Sequence, residues 1–245
     1  MIKNVTKGVI LAGGLGTRMH PLTKITNKHL LPVYDKPMIY YPIETLAKTG
    51  IKDILIVTGG NNAGDFLCLL GNGKDFGVRL HYTYQEGEGG IADALSLAED
   101  FVDGEQFVVI LGDNIIGGDI SPFVREFARQ ESGARLLLKK VSDPERFGVA
   151  TIEGAKVVKI VEKPKKPDSQ LIVVGIYMYD SQVFDIIREQ KPSERGELEI
   201  TDVDNAYIKR GDVEFNVIKC WWTDAGTFES LHRASILVRK NNECR

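Results

Sequence analysis

Gly8-Val-Ile-Leu-Ala-Gly-Gly-Leu-Gly-Thr-Arg18 is the stretch whose reading decides the fold. Val9, Ile10 and Leu11 form a short apolar run that suits a buried parallel strand, and the pattern predicts that strand over Lys7–Ala12. Ala12, Gly13, Gly14 and Gly16 then remove side chains where the strand ends. Glycine lets the backbone turn tightly there and lets N–H groups approach a bulky anion. Thr17 and Arg18 follow at once, and Arg18 adds a planar, permanently charged fork that fits phosphate oxygens. Lys28, in Asn27-Lys-His-Leu-Leu-Pro32, adds a second cation nearby in sequence. The cluster points to a highly charged phosphate ligand at the carboxyl end of the first strand.

Two better-known glycine loops are excluded. Starting from Gly13 or Gly14, no Gly-x-x-x-x-Gly-Lys-Ser/Thr pattern can be read, and no lysine lies inside the loop. Gly14-Leu-Gly16 is followed by Thr17, Arg18 and Met19, so the third glycine of a dinucleotide fingerprint is missing.

Working outward, Pro37–Lys48 carries a mostly apolar face at helical spacing, and Asp53–Thr58 reads as a second buried strand. Strand, helix and strand with short loops is the signature of a right-handed parallel crossover. Asn62 is a candidate cap for a helix ending near Leu70. Val78–Gln85 reads as a strand and Ile91–Phe101 as a helix, with the glycine-rich Glu86–Gly90 between them. The Gln85 amide could pair with a nucleobase edge or simply face solvent.

Phe107–Leu111 is a continuous apolar run ending in Gly112, Asp113 and Asn114. That places Asp113 at the carboxyl edge of the sheet, where open α/β sheets bind ligands. A carboxylate there suits Mg²⁺ beside phosphates, and an ordinary capping aspartate fits the stretch equally. Downstream we expect a helix from Asp119 to Gln130, a strand over Ala134–Val141 and a hairpin ending at Glu162-Lys163-Pro164. A strand over Leu171–Tyr179 contains Gly175, a point of close ligand approach. A helix over Gln182–Glu189 is followed by one starting at the acidic block Arg195–Asp202 and running to Lys209. Val213–Lys219 reads as a strand, Asp224 as a second strand-end carboxylate, and the polar tail Lys240–Arg245 as frayed.

Composition sets the bounds. The chain has 245 residues, 43% hydrophobic and 27% charged, with net charge −3, which supports a sizeable core and gives no sign of a nucleic-acid or membrane-surface partner. No run approaches the ~20 apolar residues of a membrane span, and no signal peptide is apparent. Cys68, Cys220 and Cys244 are odd in number without Cys-x-x-Cys spacing, which predicts free thiols in a reducing cytoplasm. We expect His20, His81 and His232 to serve surface or packing roles. Nothing suggests a second independent domain, so residues 1–245 are expected to form one.

Several blocks together carry a resemblance. They are Leu-Ala-Gly-Gly-Leu-Gly-Thr-Arg (11–18), Lys-His-Leu-Leu-Pro-Val-Tyr-Asp-Lys-Pro-Met-Ile-Tyr-Tyr-Pro (28–42), Leu-Gly-Asp-Asn (111–114), Asp-Pro-Glu-Arg-Phe-Gly-Val (143–149), Glu-Lys-Pro (162–164), Arg-Gly-Glu-Leu-Glu-Ile-Thr-Asp-Val (195–203) and Trp-Thr-Asp-Ala-Gly-Thr (222–227). The chain resembles the sugar nucleotidyltransferase (nucleotide-sugar pyrophosphorylase) family, in its short thymidylyl branch. The resemblance implies a Rossmann-like three-layer α/β/α fold with a mixed, mostly parallel central sheet. Residues 1–120 would mainly bind nucleotide and 121–240 mainly sugar phosphate. It implies condensation of dTTP with α-D-glucose 1-phosphate to dTDP-glucose and pyrophosphate, with Mg²⁺, in a cytoplasmic dimer or tetramer. Carried over by position, Leu11, Gly13, Gly14, Gly16, Thr17, Gln85, Gly90 and Asp113 would hold the nucleotide. Arg18, Lys28 and Lys163 would be catalytic cations, and Asp113 and Asp224 the metal ligands. Asn114, Gly148, Glu162, Lys163 and Gly175 would hold the sugar phosphate.

The sequence departs from that pattern at His29 and Asp93, each where glutamine is common, and in the acidic loop Glu86–Gly90. It also resembles the short form, without the C-terminal extension that helps build a feedback site in longer relatives, and we therefore expect weaker or different feedback. UTP or CTP use, and a non-catalytic sensor of nucleotide sugars, are the competing expectations.

Overall fold

The computed structural model describes residues 5–60 and 63–243. The predicted cap at Asn62 and the thiol of Cys244 lie outside the described residues. In chain order the strands are β1 (Lys7–Ala12), β2 (Pro32–Val33), β3 (Lys36–Pro37), β4 (Asp53–Gly59), β5 (Arg79–Gln85), β6 (Phe107–Leu111), β7 (Asn114–Ile116), β8 (Ala134–Lys140), β9 (Gly148–Glu153), β10 (Lys156–Glu162), β11 (Leu171–Tyr179), β12 (Val213–Val217) and β13 (Trp222–Asp224). The helices are α1 (Tyr40–Lys48), α2 (Ala63–Leu70), α3 (Ile91–Ser96), α4 (Glu99–Val102), α5 (Ser121–Phe127), α6 (Gln182–Glu189), α7 (Ile200–Arg210) and α8 (Phe228–Glu243). The fold is α/β, as the alternation of patterns predicts, and its sheet is mixed, as the resemblance implies.

The chain gathers into two compact units that interleave along the sequence. One comprises Thr6–Glu88, Ile110–Pro122 and the chain from Cys220 onward; the other comprises Gly89–Val109 and Phe123–Lys219, with Val5.

In the first unit β1 runs parallel to β4, and β4 parallel to β5. Val9, Ile10, Ile54, Ile56 and Val57 are buried, as apolar strands covered on both faces must be. Helix α1 makes the predicted crossover, burying Ile43 and Leu46. A Cβ on Gly8 would stand 2.8 Å from Leu46 Cδ1, so the missing side chain lets helix and strand approach. The carboxyl ends of these strands align, with Ala12 beside Thr58 and Gly59 beside Gln85. The Gly112 N–H donates to the Leu11 carbonyl at 2.9 Å, which sets Asp113 beside the glycine loop. β13 pairs antiparallel with β7, placing Asp224 opposite Asn114. Val33, Met38, Ile115, Ala225, Ala234 and Val238 form a core cluster on which Tyr41, Trp221 and Leu231 pack. The apolar stretch around Met38 and Tyr41 is therefore core.

In the second unit β8 lies between β11, antiparallel, and β12, parallel. β9 and β10 form the predicted hairpin. The Tyr177, Tyr179 and Tyr207 rings stack at 5.8 Å spacings. The Tyr179 hydroxyl donates to Asp204 Oδ1 at 2.6 Å in a fully enclosed setting. Burial pushes the Asp204 carboxyl up to about 7, and the charge of Glu162 adds to this against the lowering effect of the Tyr179 hydrogen bond. A carboxyl raised above its unfolded value of 3.8 contributes stability that is present below that value and lost as pH rises through about 7. Asp204→Asn keeps an acceptor for Tyr179 and removes the titration. Chemical denaturation should find this variant more stable than the parent at pH 8, by on the order of 3 kcal/mol, with the two converging near pH 4. A gap that does not change with pH would refute the assignment.

Several boundaries differ from the sequence expectation, each for a local reason. The acidic helix begins at Ile200, not Arg195, because residues 193–199 spend their hydrogen bonds on a loop. Ser193 N–H donates to the Glu197 carbonyl and Leu198 N–H to the Gly89 carbonyl, while Glu199 is extended. The helix predicted over Ile91–Phe101 breaks into α3 and α4, where the Ser96 hydroxyl turns back onto the Asp93 carbonyl. α1 starts at Tyr40 because Pro37 is taken up by the β2–β3 pairing. α8 continues to Glu243, into the tail expected to fray.

Candidate active site

The glycine loop is shaped by what it touches. Gly16 adopts φ 67°, a left-handed conformation that favours glycine, and its carbonyl accepts from Thr23 Oγ1 at 2.7 Å. Thr17, Arg18 and Met19 form one tight turn, with Met19 fully buried as a peg and Thr17 and Arg18 exposed. At Gly13 an added Cβ would lie 2.5 Å from Gln85 Oε1, and at Gly59 it would lie 2.5 Å from the Gly13 carbonyl oxygen. Around Gly14 nothing stands within 4 Å of that position. Gln85 is 5% exposed, so it is not the solvent-facing residue that one reading of its loop suggested. Its amide is set against the loop at Gly13.

Gly226 marks the centre of charge in this unit. A Cβ there would stand 3.1 Å from Arg18 Nη2, 3.2 Å from Asp113 Oδ2 and 3.5 Å from Asp224 Oδ2. Residues from three distant parts of the sequence thus converge on one glycine. Lys28 Nζ joins them at 2.5 Å from Asp113 Oδ2. The other Asp113 oxygen accepts from Asn114 Nδ2 at 3.0 Å, and Asn114 Oδ1 accepts from Trp222 Nε1 at 2.8 Å. Ala225 N–H donates to the Asp113 carbonyl at 2.8 Å, which ties the two carboxylate-bearing turns together. Burial pushes the Asp113 carboxyl up, but the Lys28 charge and the hydrogen bonds from Lys28 and Asn114 outweigh it and hold the group well below the usual carboxylate range. Asp113 is therefore an anion at neutral pH.

His29 is packed beneath this centre. Its Nδ1 lies 2.7 Å from Asn27 Oδ1, and burial followed by the Lys28 charge lowers it to about 3, so the ring is neutral. Arg233 was not apparent from the sequence: it reaches Asp224 Oδ1 from α8 with Nη2 at 4.0 Å. Its signal is one of phase, since a helix opening just after Asp224 returns a side chain toward it within two turns.

Among the described residues no group of three or more His, Cys, Asp or Glu is arranged to hold a metal ion. Asp113 and Asp224 are nonetheless hard oxygen donors facing one side-chain-free cradle at Gly226, which fits a divalent cation that takes its remaining ligands from phosphate and water.

The second unit brings together Gly148, Glu162 and Lys163 of the other predicted set, whereas Asn114 belongs to the first unit. Gly148 packs against Glu162, with Glu162 Oε2 3.5 Å and Thr201 Oγ1 3.3 Å from a Cβ built there. Thr201 Oγ1 donates to Glu162 Oε2 at 2.8 Å, and Lys163 Nζ lies 3.0 Å from Glu162 Oε1. Lys163 adopts φ 42°, an uncommon backbone for a lysine, held by its N–H on the Phe147 carbonyl at 3.0 Å. The Asn205 amide clamps Ile160 through both its backbone N–H and C=O, fixing the strand that carries the pair. Arg195 pairs with Glu199 at 2.7 Å and lies 3.8 Å from Glu162. Gly175 lies in β11 where pairing with β8 shifts register. Gly90 has φ 98°, and a Cβ there would stand 2.6 Å from the Leu198 carbonyl oxygen, so its glycine has a packing reason of its own.

The family description "Nucleotidyl transferase" matches residues 7–241. The chain belongs to the nucleotidyl transferase family. Among curated relatives, glucose-1-phosphate thymidylyltransferase of Neisseria meningitidis is 42% identical over 237 residues, covering 95% of this chain and 82% of the relative. The enzyme of the same name from Xanthomonas campestris pv. campestris is 45% identical over 236 residues, covering 95% and 80%. A crystal structure of a candidate glucose-1-phosphate thymidylyltransferase from Bacillus anthracis, in complex with a sucrose, superposes with TM-score 0.92 at 56% identity, covering 95% of each chain. A UDP-glucose pyrophosphorylase complexed with UDP-glucose shares the fold more distantly, at 27% identity and TM-score 0.84 over 96% of this chain and 99% of that one. The nucleotidyltransferase resemblance seen in the motifs thus extends over nearly the whole chain, and the predicted mixed, mostly parallel Rossmann-like fold is the fold of these neighbours.

Proposed function

We propose that this nucleotidyltransferase condenses dTTP with α-D-glucose 1-phosphate to give dTDP-glucose and pyrophosphate. The observation that carries the reading is the convergence of Arg18, Asp113 and Asp224 on Gly226, with Lys28 on Asp113. A phosphate oxygen of the sugar is already a competent nucleophile at neutral pH, so no general base is needed. It attacks the α-phosphorus in line with the departing pyrophosphate, and the developing negative charge must be met by cations. Backbone N–H groups of Gly13, Gly14 and Gly16 cradle the triphosphate, with Leu11 and Thr17 at the ends of the loop. Arg18 and Lys28 take charge on its oxygens. Gln85 and Gly90 meet the thymine. Asn114 orients Asp113 toward the same centre and lines the approach of the sugar phosphate. Glu162 holds a sugar hydroxyl, Lys163 neutralises the sugar's phosphate, and Gly148 and Gly175 leave room for the ring. Asp113 and Asp224 hold Mg²⁺, which when bound supplies charge neutralisation on the phosphates.

No helix among the described residues is long and apolar enough to cross a membrane. We place the enzyme in the cytoplasm, as a dimer or tetramer with nucleotide and sugar-phosphate partners and no nucleic acid. A sensor would have little use for both carboxylates and all three cations together.

The test is pyrophosphate release with Mg²⁺ across a matrix of dTTP, UTP and CTP against several sugar 1-phosphates. Fastest release is expected with dTTP and glucose 1-phosphate; none with any pair would return the reading to a sensor. Lys163→Ala should raise KM for glucose 1-phosphate by about ten- to a hundredfold, the loss of one charge-assisted contact, with KM for dTTP changed less than about threefold. The reverse pattern would place Lys163 on the nucleotide.

A further inference from the structure

We propose that Lys28 and Arg233 act as stand-in cations on the two carboxylates, so that the site takes a divalent cation as its nucleoside triphosphate complex and not as the free ion. The proposal rests on the reading of Asp113 and Asp224 as metal ligands. The Lys28 ammonium sits 2.5 Å from Asp113 Oδ2, the same oxygen that faces the Gly226 cradle. Asp224 turns Oδ2 to that cradle while Arg233 Nη2 stands 4.0 Å from its Oδ1. Arg18 Nη2 adjoins the same position. The chain's own cations therefore outnumber the carboxylates they face.

A free divalent ion entering here must displace Lys28 from Asp113 without offering the ammonium a new anion, and it enters an already positive neighbourhood. A metal–triphosphate complex brings its own negative oxygens. Lys28, on a flexible four-carbon stem, can then move from carboxylate to phosphate as the metal takes its place. The step is an exchange of partners, with no net loss of ion pairing. Metal and nucleotide binding are in that case coupled, and by linkage each raises the affinity of the other equally.

Titration calorimetry with Mn²⁺ at pH 8 on the full chain tests this without turnover, since no sugar phosphate is present. The parent should bind free Mn²⁺ weakly, and Mn²⁺ should tighten dTTP binding. Lys28→Met and Lys28→Gln should each bind free Mn²⁺ at least about tenfold more tightly, the scale of one removed charge at contact distance in a partly solvated site. Lys28→Arg should restore the weak binding, and Arg233→Met should tighten it by about threefold. Circular dichroism identifies variants that have lost their fold, and the two neutral substitutions back one another. Folded Lys28→Met and Lys28→Gln proteins that bind free Mn²⁺ no better than the parent would overturn the stand-in role alone. A parent whose dTTP affinity ignores Mn²⁺ would overturn the metal reading beneath it.

Discussion

Asp113→Asn should cut pyrophosphate release by about three orders of magnitude or more, the scale seen when a preorganised charge is removed from a transition state. The substitution is nearly isosteric, and the backbone carbonyl of residue 113 still accepts from the Ala225 N–H, so the β-turn geometry is expected to survive. What is lost is the anion that burial would otherwise neutralise and that Lys28 and Asn114 keep ionised. Lys28 is left without its carboxylate. The Lys28 side chain is 13% exposed, so the stability cost should be about 1–2 kcal/mol, below that of a fully buried pair. Glucose 1-phosphate affinity should change little. Turnover at saturating substrates, with a thermal melt as control, decides the matter. Activity within tenfold of the parent would remove Asp113 from the chemistry.

Gly59→Ala should damage nucleotide binding from a residue that need not touch the nucleotide. Its new Cβ would stand 2.5 Å from the Gly13 carbonyl oxygen, 3.0 Å from Gly13 Cα and 3.1 Å from the carbonyl carbon. These are backbone atoms and cannot rotate away, so the loop must shift as a whole. Overpacking of this kind costs about 1–3 kcal/mol, and displaced loop N–H groups should weaken dTTP affinity by about ten- to a hundredfold. Gly14→Ala is the matched control. Nothing lies within 4 Å of its Cβ position, so stability should hold while dTTP affinity falls. If both variants lose stability equally, or if Gly14→Ala binds dTTP normally, the loop does not cradle phosphate as proposed.

Much of the framework was legible because it is local. The run Lys7–Ala12, the strand Leu171–Tyr179 and the helix Gln182–Glu189 each announce themselves by apolar periodicity, and the structure has them at those bounds. Asp113 was readable because an apolar run that stops in Gly-Asp-Asn leaves its carboxylate at a strand end. The sequence left open whether Gln85 faced solvent, since its burial depends on Gly13 and Gly59, which reach it only through the parallel pairing of β4 with β5. Arg233 was missed because one arginine on an amphipathic helix looks like any solvated charge. The start of α7 was misjudged because Glu199 is held by Ser193 and Arg195 while the Leu198 N–H donates to the Gly89 carbonyl, contacts that no propensity encodes. Glu162 was a hairpin-end charge until Thr201, from a helix much later in the chain, was seen to hold it.

The pairing of β13 with β7 has a consequence for how the protein is made. Asp224 meets Asn114 across that pairing, and Ala225 fastens to Asp113, so the charged centre is closed by one of the last strands to be synthesised. A chain emerging from the ribosome has its glycine loop, Arg18, Lys28 and Asp113 long before Asp224 and α8 arrive to complete the core cluster at Ala225, Ala234 and Val238. Premature termination between β7 and β13 would therefore leave a nascent species with the glycine loop and Asp113 but without the second carboxylate. The uncovered Val33, Met38 and Ile115 of such a fragment would mark it for chaperones or proteases. The charged centre is thus closed in one late step of translation, not by degrees.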